Sequence, residues 1–266
     1  VKMHGLGNDY VVVDIFDSSN RKAVGRLLGA ESKLKLFAKR VCDRHFGIGA
    51  DGILLALPSK KKGYDGVMRI VNADGSEAEM CGNGIRCIAK LILDKGYSTR
   101  KELKIGTLSG IKKIVAAGGM FRVDMGLPHL LRKEIPMNGS AAAKAINEPL
   151  QLKYKKIKIT AVSMGNPHAV TFVDDNDFDI EEMGREIERH AAFPKRANVE
   201  FVHVLGPEEI ELKVWEMGVG ETLACGTGSC ASVVACVLNE KTGRKVNVHL
   251  LGGDLVVEWA KDNHVY

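Results

Sequence analysis

A short glycine-rich motif occurs twice in this chain, and the repeat limits the possible folds more than any other feature. Cys81 lies in MCGNGIRC and Cys225 lies in ACGTGSC, and each motif leads directly into an apolar stretch. A polar, glycine-rich turn followed by a long apolar run is typical of the start of a buried helix. The repeat therefore predicts the same turn and the same helix once in each half of the chain.

Other features repeat in the same order. A Gly-Asn turn at Asn8 leads into an apolar run that ends in Asp, and the turn at Asn166 does the same, which is typical of a turn followed by a strand. Asn72 and Glu216 precede the two cysteines by the same distance, since 81 − 72 and 225 − 216 are both 9. Four matches in one order indicate two homologous halves that face each other.

Hydrophobic periodicity predicts many strands and four helices. The predicted strands are 10–15, 53–57, 66–72, 102–107, 111–116, 120–125, 157–163, 169–173, 199–205, 210–215, 245–250 and 255–259. The predicted helices are 33–44, 85–95, 180–190 and 230–240. The second and fourth helices follow the two cysteine motifs and are apolar nearly all round, so other elements must surround them.

Strands wrapped around one central helix in each half satisfy that requirement. We therefore expect an α/β (α+β) fold of two pseudo-symmetric domains, each a barrel-like β-wrap around an apolar helix. The expected domains are 1–117 and 118–266, with 117–119 as the linker and 137–145 as a loop of small residues. Gly96 and Gly243 are expected to end the two central helices.

Bulk composition fits a globular protein and excludes several functional classes. The 266 residues are 45% hydrophobic and carry a net charge of +5. The basic run KYKKIKI alternates Lys with apolar residues, which is typical of a strand with a solvated face, so we expect no nucleic-acid partner. The chain has no apolar run of about 18 residues and no secretory pattern, so we expect no membrane association and an intracellular location.

The six cysteines predict neither a disulfide framework nor a metal site. Disulfides are uncommon in a chain of this size without a signal peptide. No C-x-x-C pair occurs, and no histidine accompanies the cysteine motifs, so no metal is expected. Four cysteines have apolar neighbours and are expected to be small buried hydrophobic residues: Cys42, Cys87, Cys230 and Cys236.

The two remaining thiols suit acid–base chemistry. A thiol at the N-terminus of a helix meets the positive end of the helix dipole, which lowers its pKa below about 8.5. First-turn amides next to glycines form an anion site that suits an α-carboxylate and stabilises the charge that develops as a Cα proton leaves. A thiolate on one side of that carbon and a thiol on the other can invert a stereocentre.

Five ordered motifs resemble the diaminopimelate epimerase family over essentially the whole chain. They are KMHGLGNDYVVVD, NADGSEAEMCGNGIRC, SMGNPHAV, NVEFV and GETLACGTGSCA. The resemblance implies isomerisation of LL-2,6-diaminopimelate to the meso form, in the synthesis of lysine and of peptidoglycan precursors, without pyridoxal phosphate or another cofactor. It also implies a two-domain fold with the active site in the cleft, and a cytoplasmic homodimer.

The resemblance carries roles onto named positions. Cys81 and Cys225 would be the acid–base pair, and His168 and Glu216 would assist proton movement at the cysteines. The remaining positions would bind the amino-acid substrate: Asn8, Asn72, Gly82, Asn83, Asn166, Asn198, Glu216, Met217, Gly226 and Thr227.

The chain departs from the family pattern at three places. Met217 stands where the family carries an Arg that would hold the distal carboxylate, and Gly52 stands where some relatives carry a Gln that touches the substrate. The chain also stops at Tyr266, where relatives continue through one more strand. The first departure leaves two alternatives open: an epimerase or racemase of an amino acid with a less anionic side chain, or a non-catalytic binding module on the same fold.

Overall fold

The computed structural model describes residues 1–175 and 178–266, with the backbone alone at 26–28. The chain divides into two compact units, Val1–Asp124 and Met125–Tyr266. Each unit buries its own apolar core. No helix within the described residues is long and apolar enough to cross a membrane.

The first unit is an eight-stranded mixed sheet with three helices. Its elements are β1 (Lys2–Gly5), β2 (Asn8–Asp14), α1 (Ser18–Leu28), α2 (Glu31–Cys42), β3 (Gly52–Leu57), β4 (Gly66–Asn72), β5 (Glu77–Ala78), α3 (Gly82–Asp94), β6 (Glu102–Thr107), β7 (Gly110–Ala117) and β8 (Met120–Val123). The strand order is β1-β2-β3-β4-β6-β7-β8, and β5 pairs with β4. The β2–β3 and β4–β6 pairs are parallel, and the others are antiparallel.

The second unit repeats this plan. Its elements are β9 (Glu148–Gln151), β10 (Lys156–Ser163), β11 (Pro167–Val173), α4 (Ile180–Glu188), β12 (Asn198–Gly206), β13 (Glu209–Glu216), β14 (Gly220–Thr222), α5 (Gly226–Leu238), β15 (Lys245–Leu250) and β16 (Gly253–Glu258). The strand order is β16-β15-β13-β12-β11-β10-β9, and β14 pairs with β13. The parallel pairs are β11–β12 and β13–β15.

The two units share one topology, strand by strand. The series β1 to β7 corresponds to the series β10 to β16, with the parallel pairs at the same places in both. The helix α3 lies between β5 and β6, and α5 lies between β14 and β15. The expected α/β fold, with strands curled around one central helix in each unit, is confirmed.

The division between the units differs from the expected boundary at 117/118. Ala117 lies opposite Met120 in the antiparallel β7–β8 pair, so 117–119 is a hairpin turn inside the first unit. Gly118 and Gly119 both have positive φ, which this tight turn requires and which glycine adopts without strain. The two glycines that suggested a linker therefore serve a hairpin, and the first unit extends to Asp124.

The central helices are enclosed, as their sequences predicted. Nine of the 13 residues of α3 are buried, and so are nine of the 13 residues of α5. The helix α5 packs against strands from β10 to β16, and α3 packs against strands from β1 to β8. Fully burying a Val, Leu or Ile side chain contributes about 1.5–3 kcal/mol, so these two helices account for much of the core of each unit.

Both central helices end in the same hydrogen-bond pattern, but different residues provide it. After α3, Gly96 has φ +69 and donates to Leu93, and the next N–H donates to Ile92. After α5, Glu240 has φ +56 and donates to Val237, and the next N–H donates to Cys236. Gly96 therefore ends its helix as expected, whereas Gly243 does not, because Glu240 takes the left-handed position three residues earlier.

The predicted segments are present, with shifted ends, and five elements were not predicted. The four predicted helices correspond to α2, α3, α4 and α5, and the central two begin three or four residues earlier than predicted, at Gly82 and Gly226. Glycine lowers helix propensity, which hid those first turns. The elements missed by the sequence analysis are α1, β1, β5, β9 and β14.

Candidate active site

In the first unit, Cys81 is the N-cap residue of α3. Its backbone is extended, with φ −143 and ψ 123, and its sulfur accepts the Gly84 N–H at 3.4 Å. A Ser, Thr or Asp side chain usually fills this position and accepts the same kind of hydrogen bond. The N-cap therefore fixes the thiol beside the first-turn amides of the helix, as the sequence predicted.

A phenol contacts this thiol directly. The Tyr10 hydroxyl lies 3.0 Å from Cys81 Sγ and 2.6 Å from Asn8 Oδ1. The Asn8 side-chain amide donates to Asp51 at 2.8 Å, which fixes Asn8 Oδ1 as the atom that faces the site. The Tyr10 hydroxyl donates to Asn8 Oδ1, so the phenol oxygen can accept from the Cys81 thiol; once the thiol has lost its proton, the same hydrogen can turn to the thiolate.

The other predicted residues of the first unit surround this group. Asn83 donates from Nδ2 to Asn8 Oδ1 at 3.4 Å and accepts from Arg86 at 2.8 Å. Arg86 also donates to the Gly82 carbonyl at 3.0 Å. Asn72 lies at the end of β4, where its described side-chain hydrogen bond goes to Ser76.

Strand register brings Asn72 into line with Tyr10. Tyr10 on β2 is opposite Gly52 on β3, and Gly52 is opposite Asn72 on β4. A Cβ at position 52 would lie 2.8 Å from the Val71 carbonyl oxygen and 3.4 Å from the Tyr10 ring. A larger residue at position 52 would therefore force this part of the sheet to shift.

In the second unit, Cys225 is the N-cap residue of α5. Its sulfur accepts the Gly228 N–H at 3.3 Å and lies 3.4 Å from the Thr227 hydroxyl. Gly226 and Thr227 form the beginning of the helix, as the sequence predicted. The two cysteines therefore occupy equivalent positions in the two units.

The pKa of Cys225 contradicts the lowered pKa expected for a thiol at a helix N-terminus. Burial raises the pKa of the Cys225 thiol well above its usual value, and the carboxyl groups of Glu216 and Glu200 raise that pKa further. The hydrogen bonds from Thr227 and Gly228 act in the opposite direction, but they do not offset burial. In this environment Cys225 is a thiol at neutral pH.

A chain of hydrogen bonds leads from the interior of the second unit to Cys225. His168 is fully buried, and its Nδ1 lies 2.6 Å from Glu200 Oε1. Its Nε2 lies 3.1 Å from Asn166 Oδ1, and Asn166 Nδ2 donates to Thr227 Oγ1 at 3.3 Å. Since Thr227 contacts Cys225, the predicted residues Asn166, Thr227 and His168 belong to one network.

A second group lies at the end of β13. Asn198 Oδ1 accepts the Met217 N–H at 2.9 Å, and Glu216 Oε1 accepts the Thr222 hydroxyl at 2.7 Å. The Met217 side chain is 39% exposed. Because the Glu216 carboxyl group raises the pKa of Cys225, the predicted residue Glu216 lies near the thiol, and Asn198 and Met217 lie next to Glu216.

Among the residues of these networks that were not predicted from the sequence, Tyr10 and Glu200 contact predicted catalytic residues directly. Tyr10 lies in KMHGLGNDYVVVD and Glu200 lies in NVEFV, but the apolar neighbours of both residues are typical of the interior of a strand. The repeat offered one signal, since Tyr10 follows Asn8 at the same spacing by which His168 follows Asn166. Within the described residues, no group of three or more His, Cys, Asp and Glu side chains is arranged to hold a metal.

The fold of this chain occurs in other solved structures. A probable proline racemase from Agrobacterium radiobacter K84 has the same fold, with a TM-score of 0.66 and 16% sequence identity over 97% of this chain and 83% of that one. The fold of two curled sheets, each around a central helix, is thus shared with that protein.

The sequence comparisons identify the family. The family model for diaminopimelate epimerase matches residues 1–131 and 160–266. A diaminopimelate epimerase from Pelotomaculum thermopropionicum is 51% identical over 271 residues, which cover 100% of this chain and 92% of that protein. One from Moorella thermoacetica is 49% identical over 273 residues, with 100% and 93% covered. This chain belongs to the diaminopimelate epimerase family, and the resemblance stated from the sequence is confirmed.

Proposed function

We propose that this protein epimerises LL-2,6-diaminopimelate to the meso isomer without a cofactor. The observation that carries the proposal is the equivalent placement of Cys81 and Cys225, each as the N-cap of a central helix. Relatives that are 49–51% identical over the whole chain are named diaminopimelate epimerase, and this name is the basis for the proposed substrate. The reaction belongs to the synthesis of lysine and of peptidoglycan precursors.

The two thiols exchange one proton with the substrate. In the proposed reaction the Cys81 thiolate takes the Cα proton from one face and becomes a thiol. Cys225, held as a thiol by burial, gives its proton to the opposite face and becomes a thiolate. The reverse reaction exchanges these roles, so the protein works in both directions with two acid–base groups.

Backbone amides hold the reacting end of the substrate. The first turn of a helix has N–H groups without an intrahelical partner, and they favour an anion. We assign the carboxylate and amino group of the reacting centre to Gly82 and Asn83 in one unit and to Gly226 and Thr227 in the other. Such donors also stabilise the charge that develops when the Cα proton leaves.

Polar side chains surround the rest of the substrate in this proposal. Asn8, Asn72, Asn166 and Asn198 bind its polar groups, and Glu216 faces the ammonium group of the reacting centre. His168 and Glu216 adjust proton movement at Cys225. Met217 lies where the distal end of the substrate would be bound.

Solvent deuterium incorporation tests the proposal. In heavy water, LL-diaminopimelate should acquire one deuterium at the inverted carbon, and a panel of other amino acids should acquire none. Cys81→Ala and Cys225→Ala should each stop formation of the meso isomer, because each removes one of the two acid–base groups. Epimerisation by either variant at the parental rate, or deuterium in another amino acid only, would contradict the assignment.

We also propose that the protein is a cytoplasmic homodimer. Both statements rest on the family resemblance. Light scattering of the purified protein tests the dimer, and a mass of one chain across micromolar concentrations would exclude it. Fractionation of cells that express the chain under its own promoter tests the cytoplasmic location.

A further inference from the structure

One buried position differs between the two units in a way that changes chemistry. Tyr10 on β2 is opposite Gly52, and His168 on β11 is opposite Asn198. Two residues further along the paired strands are Leu54 on β3 and Glu200 on β12, both fully buried. The second unit therefore has a carboxyl group where the first unit has an apolar side chain.

Both side chains point at the first turn of the central helix. A Cβ on Gly84 would lie 3.0 Å from Leu54 Cδ2, and a Cβ on Gly228 would lie 2.8 Å from Glu200 Oε1. Gly84 and Gly228 are the residues whose N–H groups donate to the two cysteine sulfurs. Glu200 thus lies against the same turn that presents Cys225, and burial of a carboxyl group there is costly unless it is hydrogen-bonded.

The hydrogen bonds of His168 define where its protons are. Asn166 donates from Nδ2 to Thr227, so its Oδ1 faces His168 Nε2 and accepts a hydrogen bond from the Nε2–H group. His168 Nδ1 and Glu200 Oε1 are 2.6 Å apart, so one proton lies between them. The other carboxyl oxygen, Glu200 Oε2, is buried and has no hydrogen-bond partner among the described residues. The hydrogen bond to His168 is therefore the one described polar contact of this buried carboxyl group, and its loss would be costly.

The chain of hydrogen-bond donors continues from Asn166 through Thr227 to the Cys225 sulfur. The Thr227 hydroxyl accepts from Asn166 and is 3.4 Å from Cys225 Sγ, so its own hydrogen is left to point at the sulfur. A hydroxyl donor stabilises the thiolate that Cys225 becomes after it gives up its proton. Without a fixed donor chain, the amide of Asn166 and the hydroxyl of Thr227 can both turn away.

We propose that Glu200 is a positioning residue for Cys225: it holds His168 with a proton on Nε2, and His168 orients Asn166 and Thr227 so that a hydroxyl hydrogen points at the sulfur. This inference rests on the proposed function in one respect, namely that Cys225 forms a thiolate during turnover.

The charges around Cys225 must be separated from this orientation effect. The titratable groups that act on the thiol in this unit are Glu216 on β13, Glu200 on β12 and, through Glu200, His168 on β11. The Glu200 carboxyl group raises the pKa of Cys225, so loss of its charge alone would speed alkylation of Cys225, whereas loss of the donor chain would slow it. Slower alkylation in Glu200→Leu therefore reports the orientation of the donor chain.

Alkylation of Cys225, followed by peptide mass spectrometry against pH, tests the proposal. Glu200→Leu copies Leu54 of the first unit and should slow Cys225 alkylation at neutral pH by about 10- to 100-fold, the effect of one lost hydrogen bond to a charged group. Glu200→Gln should stay within about threefold of the parent, since its amide donates to Nδ1 and preserves the Nε2 proton. Cys81 in the same sample is the internal control and should be unaffected.

Two further measurements keep the test decisive. Thr227→Val should slow alkylation as much as Glu200→Leu, and the double variant should be no slower, because both changes remove the same donor. Nitrogen-15 spectra of His168 in the parent protein should show a proton on Nε2, whether or not Glu200→Leu folds. Ser232→Ala is the control for the loss of a buried polar group: it removes a hydroxyl on α5 that has no partner within the described part of the chain, and it should leave alkylation unchanged.

Several outcomes would overturn the proposal: parental alkylation rates in Glu200→Leu, equally slow rates in Glu200→Gln, additive effects with Thr227→Val, or an unprotonated Nε2. Failure of the proposed function has a different signature. If Cys225 alkylation follows the expected pattern but no deuterium enters diaminopimelate, the donor chain stands and the substrate assignment is wrong.

Discussion

Replacement of Met217 by Arg should improve the use of LL-diaminopimelate. The proposed substrate has a second amino-acid end with its own carboxylate, and a thioether cannot pair with it. The backbone at position 217 is fixed, because its N–H donates to Asn198 at 2.9 Å, and the side chain extends from the end of β13 beside Glu216. An arginine there would add a charged donor without moving the strand.

The expected gain follows from the exposure of this side chain. A hydrogen bond to a charged group contributes about 1.5–3 kcal/mol. The Met217 side chain is 39% exposed, so solvent screens the interaction and the lower end, about 1.5–2 kcal/mol, applies. That corresponds to a kcat/KM about 10- to 30-fold higher. The gain should be in KM, because the distal carboxylate is bound equally in the ground state and the transition state.

One neighbour competes for the new guanidinium. Glu188 is buried and already accepts from the Gly218 N–H at 3.2 Å and from Arg196 at 3.3 Å.

Met217→Gln is the matched control, since it has similar length and no charge. Initial rates of meso-diaminopimelate formation, resolved by chiral chromatography, give the comparison. Equal kcat/KM for the Arg and Gln variants would show that position 217 does not face a carboxylate, and the assignment of the distal end would fail.

Three other perturbations have defined outcomes. Tyr10→Phe removes the hydroxyl 3.0 Å from Cys81 and should lower kcat about 10-fold or more while unfolding free energy changes by less than about 1 kcal/mol; unchanged kcat would exclude a role for the phenol. Gly184→Ala places a Cβ 2.5 Å from the Trp215 ring and should lower the unfolding free energy, measured in urea, by about 1–3 kcal/mol. Gly25→Ala on α1, where the added Cβ meets open space, should raise the unfolding free energy by about 0.5–1 kcal/mol. Equal effects of the two variants would contradict the packing around Gly184. Burial raises the pKa of the Cys42 and Cys87 thiols from 9.0 to about 11 and that of the Cys236 thiol to about 12. Because these thiols ionise more readily in the unfolded chain, the unfolding free energy should be constant below pH 9 and should fall above it, by about 1.4 kcal/mol per thiol at pH 10. Urea titrations that give equal stability at pH 8 and pH 10 would refute this.

The sequence predicted what depends on local pattern. Repeated spacing located both cysteine N-caps, and apolar composition located the two enclosed helices. Gly96 was recognised as a helix end because glycine is the usual residue there, whereas Glu240 was missed because a charged residue at positive φ has no sequence signal. The hairpin at 117–119 was taken for a linker, since glycine pairs occur in both and only the β7–β8 pairing distinguishes them.

The contacts among the site residues depend on strand register, which the sequence does not specify. Glu200 reads as one residue of a buried strand until the parallel β11–β12 pairing brings it beside His168. Tyr10 likewise becomes a partner of Cys81 only when α3 packs on β2. Polar contacts between elements far apart in sequence were therefore absent from the sequence-based site, whereas residues inside the two motifs were present.

The duplicated framework places the two thiols at equivalent positions, but their neighbouring side chains differ. In the proposed reaction one thiol gives a proton while the other takes one, and the roles exchange in the reverse direction. The two units keep the same N-cap geometry and change the residues behind it: the first unit has Tyr10 in direct contact with a partly exposed Cys81, and the second has His168 and Glu200 behind a buried Cys225. Burial keeps Cys225 protonated, and the donor chain from Glu200 limits what burial costs once the proton is gone. The asymmetry between the units thus lies in a few side chains, while the symmetry of the strands keeps both sulfurs on equivalent helix ends.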